Sequence, residues 1–149
     1  MLLVDTNVLV DVLQNDAQWA DWSITQLRAQ AQLHALAINP VIYAELSLSF
    51  STFEALDRVV ATMELAMHEV PRPALFLAGK AYLQYRRRGG GKAQVLPDFF
   101  IGAHAAVEGW PLLTRCQPIS DLLSESGSGC ALRRAYQRNC SSSRPMAAE

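Results

Sequence analysis

Cysteine is missing from the first 115 residues of this 149-residue chain; Cys116, Cys130 and Cys140 all lie in the last 34. An odd count at irregular spacing argues against a disulfide framework and against a structural zinc site. No apolar run approaches the ~18 residues of a membrane span. No basic segment precedes the apolar N-terminal stretch, so no signal peptide is expected and a cytoplasmic location is. Charge of one sign is also lacking, with a net charge of −1. A nucleic-acid partner would therefore have to be held by local basic patches rather than by a global field. Neither G-x-S-x-G nor a Walker A motif occurs, which removes the commonest serine-hydrolase and P-loop signatures. Internal repeats are absent. What remains is a chain that is half hydrophobic, long enough for one domain with a real core and too apolar for general disorder.

The apolar pattern alternates between short strands and helices. Leu2–Val4 reads as a buried strand ending at Asp5, with Thr6 or Asn7 as the cap of a helix over 8–14. A second helix fits 19–30, and a second strand 35–38. Asn39-Pro40 is a helix start, with Asn at the cap and Pro at the first helical position. That helix carries Glu45 to about Leu48. An amphipathic helix follows over 53–64, then a strand over 67–70. The next helix, over 73–88, is ended by Gly89-Gly90-Gly91. Leu96-Pro97-Asp98 opens a helix to about Glu108, and 112–114 is a fourth strand. Such alternation predicts an α/β fold of three layers, a central parallel sheet flanked by helices. In these sheets ligands gather at the carboxyl ends of the strands.

Three acids sit in apolar contexts at element ends: Val4-Asp5-Thr6-Asn7, Tyr43-Ala44-Glu45-Leu46 and Pro97-Asp98-Phe99-Phe100. Singly, Asp5 and Asp98 also read as helix-cap acids and Glu45 as an exposed helix acid. Together they read as a hard-oxygen site for one or two Mg²⁺ or Mn²⁺ ions, the chemistry of phosphodiester hydrolysis. Arg86, Arg87, Arg88 and Lys92 precede Asp98 and are placed to contact RNA phosphates. The competing reading is a solvated helix C-terminus, where cations suit the dipole. His34, His68 and His104 read as unclustered structural or surface residues. Trp19, Trp22 and Trp110 read as packing or interface residues rather than base-stacking platforms. A phosphatase with Asp5 as nucleophile would want a second Asp two positions on, and Asn7 stands there.

Leu3-Val4-Asp5-Thr6-Asn7-Val8-Leu9, then Asn39 to Leu46, then Leu96-Pro97-Asp98-Phe99-Phe100-Ile101-Gly102-Ala103-His104-Ala105, resemble in order and spacing the PIN-domain ribonucleases of the VapC toxin type. The resemblance implies a Mg²⁺- or Mn²⁺-dependent endoribonuclease over residues 1–115. It implies a homodimer held inactive by a cognate antitoxin. Asp5, Glu45 and Asp98 would form its acidic metal site, with Asn7 and Thr114 at its auxiliary polar positions.

Residues 116–149 depart from that family. Its last motif reads Thr-Arg-Asp, whereas this chain has Thr114-Arg115-Cys116, followed by Ser- and Gly-rich text. The expectation is a frameshifted, poorly ordered tail. With suitably chosen codons, residues 116–131 read one base over become Ala-Ser-Arg-Tyr-Arg-Thr-Tyr-Phe-Pro-Ser-Leu-Asp-Leu-Val-Ala, which resembles a PIN C-terminus. Loss of two bases from CGCGAT would turn Arg-Asp into Arg followed by the first base of Cys. The alternative is a genuinely diverged tail. Loss of the fourth acid would reduce activity, leaving as second reading a catalytically weak PIN domain that binds antitoxin or RNA.

Overall fold

Leu2, Leu3 and Val4 are all buried, and so are Leu36, Ala37 and Ile38. Strands without inside–outside alternation must be covered on both faces, which in a parallel sheet is done by helices. The computed structural model describes residues 1–89 and 96–115, and in them this is the arrangement. Four parallel strands run in the order β3-β2-β1-β4, with β1 at Leu2–Val4, β2 at Leu36–Ile38, β3 at Ala66–Met67 and β4 at Leu112–Leu113. Leu3 pairs with Ala37 on one side and with Leu112 on the other, so β1 is central.

Six helices flank this sheet among the described residues: α1 Thr6–Leu13, α2 Ala20–Ala31, α3 Pro40–Ser47, α4 Phe53–Thr62, α5 Arg72–Arg87 and α6 Leu96–Glu108. The fold is the α/β, three-layer arrangement that the alternation predicts. Its main core gathers β1, β2 and Leu113 with Val8, Leu9, Leu27, Ile42, Leu46, Leu56, Ile101 and Ala105. A second cluster joins α5 to α6, with Ala74, Ala78 and Ala81 against Phe99 and Ala103. Small residues on α5 let the two helices approach closely, and Phe99 fills the space between them.

Several boundaries differ from the sequence reading. Asp5, not Thr6 or Asn7, holds the extended N-cap position of α1 (φ −70°, ψ 149°). Thr6 and Asn7 therefore fall in the first helical turn, where their side chains turn to other partners. The third strand stops at Met67 rather than Val70, although the His68 N–H still donates to the Ile38 carbonyl at 2.9 Å. Val70 packs against the α5–α6 cluster instead. α3 begins as expected: Asn39 caps it, its Oδ1 accepting from the Ile42 N–H at 3.0 Å, with Pro40 in the first turn. α5 ends where Gly89 takes φ +88°, a conformation that glycine adopts without strain. Lys92 and residues 116–149 lie outside the described residues.

Candidate functional site

Asp5 stands where the central strand ends and α1 begins, and it is 3 % exposed. Its backbone N–H donates to the Leu113 carbonyl at 2.9 Å, which ties it to β4. Two side chains donate to its Oδ2: Asn7 Nδ2 at 2.7 Å and Thr114 Oγ1 at 2.5 Å. Asn7 reaches Asp5 because it sits in the first turn of α1. Thr114 reaches it because β4 delivers the next residue beside the end of β1. The next acid arrives by a different tether, since the Thr6 hydroxyl donates to the Glu45 carboxylate. Asp98 lies in the first turn of α6.

The electrostatics link the three acids. Burial raises Asp5 to a pKa of about 6, and Asp98 and Glu45 push in the same direction; the Thr114 hydrogen bond and the Thr6 backbone oppose the rise. Asp98 is raised as well, by burial and then by Glu45. Carboxylates that raise a neighbour in this way carry a repulsion that a nearby cation would relieve.

Sequence reasoning missed a second network that braces the same strand end. Asp11 is 2 % exposed, accepts from the Ser23 hydroxyl at 2.9 Å, and pairs with the Arg115 guanidinium at 3.2 Å. Arg115 also lies over the Trp19 ring. The pair holds the chain after Thr114 down on α1 and α2. Arg115 belongs to the Thr114-Arg115-Cys116 motif, but nothing in the sequence named Asp11 as its partner. Thr6 was missed for a related reason, because it reads as a cap when taken alone.

The model of the PIN domain matches residues 2–115. The chain belongs to the PIN-domain family. Among solved structures, its fold is similar to a chain of VapBC2 from Rickettsia felis bound to a DNA fragment from the promoter. There the identity is 19 %, with 77 % of this chain and 87 % of that one covered, at a TM-score of 0.60. It is also similar to FitAcB from Neisseria gonorrhoeae, at 18 % identity, 89 % and 93 % coverage and a TM-score of 0.55. FitAB bound to an IR36 DNA fragment gives 18 % identity, 89 % and 90 % coverage and a TM-score of 0.57. Among curated proteins, none matches the sequence.

PIN domains are generally nucleases and typically use divalent metals. The donor set of this PIN domain suits a hard ion, being carboxylate oxygens with hydroxyl and amide groups around them. Among the described residues, no three of His, Cys, Asp and Glu are gathered as a ready-made metal cage. Arg86 and Arg87 are exposed in the last turn of α5, with Arg88 at its C-cap. α5 packs along α6, so this basic turn and Asp98 stand at the two ends of one connection. No helix among the described residues is long and apolar enough to cross a membrane.

Proposed function

We propose that this chain is a Mg²⁺- or Mn²⁺-dependent endoribonuclease, the toxin of a toxin–antitoxin pair. The observation that carries this reading is Asp5, buried where the central strand ends and α1 begins, with Asp98 and Glu45 both acting to raise its pKa. Asp5 is the principal ligand, with Glu45 and Asp98 binding directly or through water. Asn7 and Thr114 fix the direction of the Asp5 carboxylate through its Oδ2. Thr6 does the same for Glu45. A bound divalent ion would supply activated water and neutralise the leaving oxygen of a phosphodiester. Arg86, Arg87 and Arg88, with Lys92 from its place in the sequence, would hold RNA phosphates. Partnership with an antitoxin is supported by fold likeness to the VapBC2 and FitAcB structures, while homodimer formation rests on the resemblance of the sequence alone.

A second reading, a weak nuclease that chiefly binds antitoxin or RNA, is favoured by one observation: Cys116 stands where the resemblance calls for an acid. Calorimetry with Mn²⁺ and cleavage of a structured RNA decide between them. Wild type should bind Mn²⁺ and cleave. Asp5→Asn, Glu45→Gln and Asp98→Asn should each lose at least about tenfold in metal affinity or rate. Unchanged Mn²⁺ binding after Asp5→Asn would refute the metal site. Mn²⁺ binding by the wild type without cleavage would favour the second reading.

A further inference from the structure

Asn39 and His104 are both buried, and their side chains meet at 3.2 Å between Asn39 Nδ2 and His104 Nδ1. The orientation of the amide is fixed by its other end. Asn39 Oδ1 accepts from the Ile42 N–H as the cap of α3, so the group facing His104 is the NH₂. An NH₂ can only donate. His104 Nδ1 must therefore be an acceptor, with its ring proton on Nε2 and no net charge. A protonated imidazole would set two donors against each other in a site that water does not reach.

The placement of this pair gives it a consequence. Asn39 starts the helix that carries Glu45, and His104 lies further along the helix whose first turn carries Asp98. α3 and α6 pack together. We propose that the Asn39–His104 hydrogen bond is an acid-sensitive latch that sets α3 against α6, and so sets Glu45 against Asp98. His104 and Asn39 are positioning residues and touch neither ion nor RNA. The role of the latch in activity rests on the nuclease reading; its existence and its acid sensitivity do not.

The surroundings of His104 favour the neutral ring. Burial lowers its pKa, with His68 acting in the same direction and Glu108, on its own helix, acting against. Trp110 contacts both imidazoles, 5.4 Å from the His104 ring and 5.1 Å from that of His68. The two histidines are thus grouped, not isolated as the sequence reading has them. α5 meets α6 through apolar residues, Ala74, Ala78 and Ala81 against Phe99 and Ala103. α3 contributes the uncharged Asn39. The folded pKa lies below the ordinary 6.5, so the stability due to neutral His104 is present above that value. It is lost as the pH falls through the folded pKa.

The test uses the full chain in three forms: wild type, His104→Asn, which keeps an acceptor near Nδ1 and cannot titrate, and His104→Leu, which has no acceptor. Nitrogen-15 spectra of the wild type should show Nδ1 unprotonated at neutral pH. The amide signals of Ile42 to Leu46 should shift as His104 titrates, and should lose that shift in His104→Asn. His104→Leu should melt several degrees lower and, if the nuclease reading holds, bind Mn²⁺ about tenfold more weakly, while His104→Asn stays within about twofold. A proton on Nδ1 at neutral pH would overturn the proposal. So would α3 amides that ignore the His104 titration. If the spectra follow expectation and no form binds Mn²⁺, the nuclease reading fails and the latch stands.

Discussion

Asp5 receives two short hydrogen bonds on one oxygen and still titrates near 6, because burial with help from Asp98 and Glu45 outweighs them. Against an unfolded value of 3.8, the folded chain holds this proton more tightly than the unfolded one. The resulting stabilisation is complete below pH 3.8 and is lost as the pH rises through about 6. At pH 7 the ionised Asp5 thus costs the metal-free fold up to about 3 kcal/mol. Asp5→Asn should raise the metal-free Tm at pH 7, with the gain fading below pH 4, while cleavage falls about 100-fold or more. Melting curves of both proteins at pH 4 and pH 7 without metal check this. A lower Tm for Asp5→Asn at pH 7 would mean that the carboxylate is structural. Excess Mn²⁺ should reverse the order at pH 7, since ligand binding to the folded wild type adds stability.

At the scale of single elements, α5 carries the open question about RNA. Its last turn places Arg86 and Arg87 in solvent, which serves equally to satisfy the helix dipole and to meet phosphates. The double change Arg86→Gln, Arg87→Gln separates these roles. An RNA-binding turn should lose affinity, and the slope of log K against log salt should flatten by about 0.7 for each phosphate no longer neutralised. A helix-capping turn should instead lose a few degrees of Tm and keep the slope. Elements were also where the sequence was most and least legible. The uninterrupted apolar triplets Leu2–Val4 and Leu36–Ile38 announce strands covered on both faces, and Asn39-Pro40 announces the start of α3; the structure has all three. Val70 extends the apolar pattern of 67–70, yet packs against α5 and α6, a tertiary preference that no local pattern encodes. Asp5, Glu45 and Asp98 stand out in the sequence because an acid in an apolar run is costly without a partner, and Asp98 and Glu45 both act on Asp5. Thr6, Asp11 and Arg115 were not, because each acts through a residue distant in sequence.

For the molecule as a whole, the PIN match ends at Arg115, where the text of the chain changes. We propose that residues 116–149 arise from a shifted frame. Reading the nucleotides across codons 113–120 tests this directly, and restoring the frame tests its consequences. The restored protein should melt higher, because aromatic residues returned to the sheet edge bury apolar area at roughly 1.5–3 kcal/mol each. It should also cleave RNA faster, because an acid returns after Arg115. Cys116→Asp alone should recover part of the activity and little of the stability. Equal Tm and equal rates for all three forms would make the tail a functional element in its own right. The strand order has a further consequence, which concerns time. β1 is made first and stands in the middle of the sheet, and one of its neighbours, β4, is the last strand made among those described. Until the ribosome has produced Asp98 and Thr114, Asp5 has neither its third acid nor its hydroxyl donor. On the nuclease reading proposed above, the nascent chain therefore lacks a complete site until α6 and β4 have been made. On that reading its chemistry would arrive in one late step, when an antitoxin could already be at hand.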